Sequence, residues 1–405
     1  MKIIIAIDSL KGCLSSMEAG KTAADAVRQR YPAAEVVCIP VSDGGEGWLE
    51  AFGCERGGSQ PVGWEVITTV VSGPLQRPVE ARYLKSADLA VIEIAQACGL
   101  QLLQPEERNP LVATSRGVGE LILDAAARGC KRFIVGLGGS GTSDAGKGMI
   151  EEIRKKRRER KEEAKEEAKE EAKNGARKCA SGVVEYAEKE KNRVGEWCGT
   201  KPEEWEFIVA TDVTNPLCGS EGAAAVFAPQ KGATPAMVEA LDRRARAFAE
   251  ENALQMGFDK SEQPGAGAAG GLGYAFMQFF GAECRSGAEL LLERLHFDNL
   301  IANADLLLTG EGHADRQTLM GKLPAIVLQH CLQIGIPCHL FAGGIEDEAQ
   351  LLAAGFAGVH QITPPDMDLR EAIRPEVARK NLREAVKTLL IREFPAIHDS
   401  DGTSS

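Results

Sequence analysis

Three short polar stretches, each following an apolar run, carry the residue types needed to handle a phosphorylated substrate. They are "DSLKG" with Asp8, Ser9 and Lys11, "SDGGEG" with Asp43 and Glu46, and "TGEGHAD" with Glu311, His313 and Asp315. Carboxylates, ammonium groups and glycine turns rich in free N–H suit phosphoryl transfer, in which a protein mainly positions reactants and neutralises charge while Mg²⁺ bridges phosphate oxygens. A fourth stretch, "GGSGTSDAGKGM" at 138–149, follows "FIVGL" and comes within one residue of G-x-x-x-x-G-K-[ST]. Gly141, Gly146 and Lys147 hold the spacing, but Gly148 removes the hydroxyl that would bind Mg²⁺, so the strict phosphate-loop pattern fails. A glycine turn after a strand can still present N–H groups to an anion.

The middle of the chain adds "NPLVATSRGVGE", "ATDVTNPLCG", "FAPQKGA" and "PGAGAAGGLG", loops of donors and carboxylates that include Ser115, Arg116, Asp212, Asn215, Gln230 and Lys231. The glycines from 265 to 273 fit two descriptions equally well: tight packing of a helix on a strand, or a nest of N–H groups ahead of the helix "YAFMQFF". Other chemistries lack support. The six histidines never fall at H-x-x-x-H spacing and no G-x-S-x-G elbow occurs, which argues against zinc and serine-hydrolase sites. His313 is the one histidine in a rich turn, and a solvated loop position serves it as well as a ligand-binding one.

These turns need rigid elements beneath them. "MKIIIAI" and "EVVCIPV" read as parallel strands buried on both faces, with "SSMEAGKTAADAVRQRY" as the helix between them, opened by a serine cap and Glu18. Near the other end, "ADLLLTG", "PCHLFAGG" and "AGVHQIT" alternate with the helical "LPAIVLQHCLQIG" and "DEAQLLAAG", the β-α-β rhythm of a parallel sheet. The fold class is therefore α/β with two domains: a parallel-sheet, Rossmann-like domain built from 1–70 and 290–395, and an inserted α/β domain over 71–289, with a disordered tail at 396–405. In such sheets ligands bind beyond the carboxyl ends of the strands, where the three polar turns would converge.

Bulk properties agree. A length of 405 residues suggests more than one core, and 44 glycines with only 5% aromatic residues suit small-residue turns of α/β enzymes. A net charge of −12 disfavours nucleic-acid or membrane-surface partners, so an anionic ligand must meet local basic groups. Eleven cysteines without C-x-x-C spacing read as reduced thiols, and the apolar run after Met1 is too short for a signal core, which together suggest a cytoplasmic protein.

One stretch differs in kind. Residues 151–178 hold twelve Lys or Arg and nine Glu, with "EEAKEEAKEEAK" in four-residue repeats and almost no apolar stripe. Alanine propensity and Glu–Lys neighbours predict a solvated helix from Glu151 to about Lys173, ended by Asn174-Gly175 and contributing little to either core. Val183, Tyr186, Trp197 and Trp205 would then dock the return segment, and Cys179 and Cys198 are placed where pairing is conceivable but not required. Such regularity looks designed.

Taken in order, "DSLKGCLSS", "DGGEG", "TSRGVGE", "GLGGSGTSDAG", "DVTNPLCG", "APQKGA", "PGAGAAGGLG" and "TGEGHADRQTLMGKLP" resemble the bacterial glycerate kinase family, the first of its unrelated types, over 1–149 and 207–395. The resemblance implies ATP- and Mg²⁺-dependent phosphorylation of D-glycerate to a phosphoglycerate by a monomer or homodimer. On that reading Lys11 and Lys322 neutralise phosphate charge, and Ser115 and Arg116, with Asn215 nearby, hold the substrate carboxylate. Asp43, Glu46 and Glu311 are candidates for Mg²⁺, and Asp212 or Asp315 for the base. Gly138, Gly139, Ser140, Gly265, Gly267, Gly270 and Gly271 are candidates for the nucleotide phosphates. Residues 150–206 depart from the family pattern and read as a replaced segment, which leaves a non-catalytic scaffold presenting a charged helix as the alternative function.

Overall fold

The computed structural model describes residues 1–10, 12–54, 63–175 and 205–394. Lys11, the return segment 176–204 with Cys179, Cys198, Val183, Tyr186 and Trp197, and the tail at 396–405 lie outside the described residues. The chain divides into two units, Met1–Trp64 with Arg285–Ser405, and Glu65–Cys284. The mixed α/β, two-domain architecture expected from the strand rhythm is the one observed.

In the first unit, β1 (Lys2–Ile7) and β2 (Glu35–Cys38) come from the N-terminal part. The C-terminal part supplies β9 (Leu306–Ala314), β10 (Cys338–Ile345) and β11 (Gly358–Gln361). All pair in parallel, in the order β11-β10-β9-β1-β2. Ile3, Ile4, Ile5 and Ile7 are fully buried, as a strand covered on both faces requires. The helix Ser16–Arg30 opens with a capping box in which Ser15 Oγ accepts from the Glu18 N–H and Glu18 accepts from the Ser15 N–H. Its Ala19, Ala23 and Val27 share a core with Leu382, Val386 and Leu389 of the C-terminal helix Pro375–Glu393.

Counting only these strands in chain order, the sheet reads 5-4-3-1-2. Chain direction across the sheet reverses between β1 and β9, whose register places Ile7 beside Gly310. A crevice at such a reversal is where open parallel sheets bind ligands.

The second unit carries a six-stranded sheet in the order β3-β4-β5-β6-β7-β8. Its strands are β3 (Glu65–Ser72), β4 (Pro78–Ser86), β5 (Leu89–Glu93), β6 (Arg132–Gly136), β7 (Glu206–Ala210) and β8 (Glu283–Arg285). The pairs β3–β4 and β4–β5 are antiparallel, whereas β5–β6 and β6–β7 are parallel. Phe133 stacks on Phe207 at 4.6 Å, and Phe276 and Phe280 close around Phe207 to make an aromatic centre for the core. Trp205 packs edge-on against Phe133.

Two sequence expectations need correction. The charged helix runs Lys147–Gly175, so it begins four residues before Glu151. Its first turns are part of the core: Met149, Ile150 and Ile153 are buried, Glu152 is buried in an ion pair with Arg116, and the Arg154 guanidinium lies 5.1 Å over Phe279. Apolar residues at 149, 150 and 153 supply the stripe that the repeat lacks, and beyond them the charged side chains as far as Glu166 are mostly exposed. The second concerns "TGEGHAD", which is not a turn through its length. Thr309 to Ala314 continue β9, because β10 is long enough to pair with them as far as His313↔Gly344 and Ala314↔Ile345.

Candidate active site

At the carboxyl end of the first unit's sheet, β9 places Glu311 one residue beyond the Ile7–Gly310 register. The chain leaving β1 stays close, since the Asp8 N–H donates to the Gly310 carbonyl at 2.9 Å. Glu311 Oε1 accepts from Thr318 Oγ1 at 2.7 Å, and Lys322 Nζ stands 3.5 Å from Glu311 Oε2. Thr318 Oγ1 also accepts from the Asp315 N–H at 3.0 Å, while Asp315 Oδ1 accepts from the N–H groups of Gln317 and Thr318. Asp315 therefore shapes the turn that brings Thr318 back to Glu311. Burial pushes the Glu311 carboxyl above its ordinary value, a shift that Thr318 and Lys322 only partly oppose. A desolvated carboxylate beside a half-exposed ammonium is equipped to accept a proton and to hold negative charge, respectively.

Asp43 and Glu46 follow β2 in a separate turn. Asp43 Oδ1 accepts from the Gly45 N–H at 3.1 Å, and Glu46 is exposed. Among the described residues no hydrogen bond or ion pair joins either to Glu311, and no three His, Cys, Asp or Glu side chains converge as a metal-ion cluster. Mg²⁺ usually takes only one or two carboxylates and fills its octahedron with phosphate oxygens and water, so a single carboxylate such as Glu311 or Asp43 suits it. His313, half-exposed, faces Glu346 at 3.5 Å.

In the second unit the phosphate-loop look-alike has a definite structure. Asp144 Oδ2 accepts from the Ser115 N–H at 2.8 Å, Ser115 Oγ at 2.9 Å, the Gly148 N–H at 3.2 Å and Thr114 Oγ1 at 3.4 Å. Its Oδ1 accepts from the Gly146 N–H at 3.2 Å, and Ser115 Oγ in turn accepts from the Met149 N–H at 3.1 Å. One carboxylate thus caps the starts of two helices, Arg116–Ala127 and Lys147–Gly175. It accepts from backbone N–H groups of the kind that a phosphate loop offers to an anion. Gly148, where that motif has Ser or Thr, is explained by the same geometry: a Cβ there would lie 2.1 Å from Thr114 Oγ1.

The residues expected to hold a substrate carboxylate are committed internally. Ser115 is fully buried on Asp144, and Arg116 pairs with Glu152 at 2.7 Å and Glu120 at 3.2 Å. Asn215 Nδ2 ties its own loop by donating to the Glu221 carbonyl. Asp212, half-buried, follows β7.

Two groups of glycines were expected to receive phosphates. Gly138, Gly139 and Ser140 follow β6, where the Gly139 carbonyl accepts from the Leu100 N–H. Gly267 and Gly270 pack against backbone, and Gly265 and Gly271 against the side chains of Cys284 and Leu217. A Cβ on Gly270 would meet the Thr142 carbonyl at 2.0 Å, and one on Gly267 the Pro216 carbonyl at 2.3 Å. Ala269, Gly270 and Gly271 all take positive φ, and the Gly270 carbonyl accepts from the Ala145 N–H. Of the two descriptions of this stretch, close packing accounts for these contacts.

In the sequence Lys231 reads only as a donor in a loop, yet it is fully buried. Its Nζ donates to Ser140 Oγ at 2.8 Å and to the Thr142 carbonyl at 2.7 Å, and burial pulls it down to about 8. It pins the glycine turn from below, 89 and 91 residues away in sequence. Nothing local in "FAPQKGA" announces that role.

A parallel sheet with a buried carboxylate and an ammonium at its reversal point, and a second sheet with a self-capped glycine turn, place the chain among two-domain α/β proteins. Comparison with known proteins gives the class a family. The model of the Glycerate kinase family matches residues 3–392, and the chain belongs to that family. Glycerate kinase of Bacillus subtilis (strain 168) is 36% identical over 375 residues, covering 92% of this chain and 93% of that protein. Glycerate 2-kinase of Escherichia coli (strain K12) is 37% identical over 383 residues, with the same coverage of 92% and 93%. A crystal structure from Salmonella typhimurium LT2, proposed to be that of glycerate kinase 2, superposes with a TM-score of 0.68 at 33% identity, covering 97% of this chain and 98% of that one. The family match spans 150–206 and gives no evidence for a foreign origin of that stretch.

Proposed function

We propose that the chain phosphorylates D-glycerate at the expense of ATP, with Glu311 or Asp43 as the residues that would hold Mg²⁺. The observation that carries this reading is the Glu311–Thr318–Lys322 group at the sheet reversal, in a chain of the glycerate kinase family. ATP supplies the phosphoryl group and Mg²⁺ screens its charge. Glu311, made more basic by burial, takes the proton of the attacking hydroxyl as the new P–O bond forms and the bond to ADP breaks. Lys322 offsets charge on the phosphoryl oxygens, a role proposed for Lys11 as well. Asp315 holds the turn, Asp43 and Glu46 complete the acidic edge available to Mg²⁺, and the name of the Escherichia coli relative favours transfer to the 2-hydroxyl.

A coupled ADP-release assay with D-glycerate, glycolate, lactate and tartronate tests the proposal. D-Glycerate should give turnover above the ATP-only blank, and Lys322→Met should lower kcat by about 10²-fold with an unchanged melting temperature. A folded protein with no turnover on any acid would favour the scaffold reading instead. The phosphorus spectrum of the product identifies the acceptor hydroxyl.

A further inference from the structure

Beside the self-capped turn of the second unit lies a cavity of ≈ 510 Å³. Its apolar wall is formed by Val112, Ala113, Leu241 and Phe248, and its polar wall by Ser143, Asp144, Lys147, Arg244 and Glu251. Ser143 Oγ is buried and has no hydrogen-bond partner among the described residues. A buried hydroxyl without a partner carries a desolvation penalty that a ligand atom would relieve.

The electrostatics say what kind of ligand fits. Asp144, Glu151 and Glu251 outnumber Lys147 and Arg244 on the lining, and Lys147 already pairs with Glu151 at 3.7 Å. Arg244 is engaged as well, donating from Nη1 to the Leu111 carbonyl at 3.1 Å. The N–H groups at the adjacent helix start are taken by Asp144 and Ser115. The lining thus carries a net negative charge, which disfavours an anion, and leaves Ser143 Oγ as a neutral donor for an uncharged ligand. A three-carbon acid is also far too small for a cavity of this size, which falls in the range of about 300–1,000 Å³ typical of small-molecule and cofactor sites. A flat heteroaromatic ring with a neutral polar edge, joined to a polyol, matches the apolar wall, the unpartnered hydroxyl and the surplus carboxylates together. Carboxylates serve as acceptors for ribose hydroxyls in other nucleotide sites.

We propose that this cavity takes the purine-riboside half of the nucleotide, with Ser143 Oγ bonded to the edge of the base and Glu251 or Glu151 facing the ribose hydroxyls. The proposal rests on ATP being the phosphoryl donor, and it assigns the cavity to the uncharged half of that donor.

Adenosine, which lacks phosphates, is the probe. Titrated calorimetrically into the full chain it should bind. Ser143→Ala should weaken it by about five- to tenfold, the loss of one hydrogen bond. Ala247→Trp, at an exposed position on the lining, should fill the cavity and abolish binding while the melt shows an intact fold. In steady state both variants should raise the KM for ATP and leave the KM for glycerate unchanged. If adenosine fails to bind while ATP supports turnover, or binds equally well to both variants, the assignment is overturned. If no acid is phosphorylated, the kinase reading fails, and adenosine binding lost on Ala247→Trp still upholds the cavity as a nucleoside site.

Discussion

The turn at 138–149 and the turn at 311–322 use the same ingredients, an acid, a lysine and glycines after a parallel strand, but they are opposite in electrostatic completeness. In the first, Asp144 takes five donor groups and joins two helix starts, and Lys231 is matched from below by Ser140 and Thr142. In the second, the buried Glu311 has one hydroxyl at 2.7 Å and one ammonium at 3.5 Å, and Lys322 stays half-exposed. The Asp144 carboxylate is a structural joint because its oxygens already have their donors, even though Ser143 Oγ in the same turn has no partner among the described residues. An unsaturated one retains interaction energy that a substrate can take up, which is the condition for positioning and stabilising a reacting group. A motif alone does not tell these apart.

The largest effect should come from breaking the saturated side. Asp144→Ala orphans buried donors at two helix starts and should lower unfolding free energy by at least about 3 kcal/mol in urea titrations. Inorganic phosphate should recover part of that loss in the variant and none in the parent, because the vacated donors then form an anion site. A loss under about 1 kcal/mol would mean that the carboxylate is not the joint described.

On the unsaturated side, Glu311→Gln should act through pH. Burial raises this carboxyl above its ordinary 4.5, so the folded protein holds the proton more tightly than the unfolded chain does. The stability this supplies is full below the unfolded value and falls as pH rises through the raised folded value. Urea midpoints measured from acid to neutral pH should therefore show the parent losing stability relative to Glu311→Gln over that window, with a flat difference above it. A constant difference across the range would remove the argument for a basic Glu311.

The smallest effect belongs to the long helix Lys147–Gly175, which contains both situations in one element. Its start carries buried Met149, Ile150 and Ile153, whereas Glu163 is exposed. Glu163→Ala should change stability by less than about 0.5 kcal/mol in the same titrations. A larger change would show that the charged repeat is packed rather than solvated.

Much of the frame was legible because its causes are local. The isoleucine-rich run Ile3–Ile7 suits a strand covered on both faces, Ser15 with Glu18 spells a helix start, and the order of the glycine motifs points to the family. The start of the charged helix is obscure in the sequence because its apolar stripe is only Met149, Ile150 and Ile153, too short to give a helical period of its own. The length of β9 was missed because glycines and polar residues read as a turn, while the pairing that extends it comes from β10, about thirty residues on.

What the sequence by itself determined is the set of strands of the first unit, their parallel pairing from both ends of the chain, and the inventory of acids, lysines and glycines at the strand ends. Only the tertiary structure decided which of those groups are already satisfied. Ser115 reaches Asp144 across 29 residues, Lys231 reaches Ser140 across 91, and Glu311 becomes basic through the packing around it. Propensity and capping act within a few residues and so are written in the local sequence. Hydrogen-bond saturation and desolvation depend on what distant segments bring to the same place, and they exist only once the chain has folded.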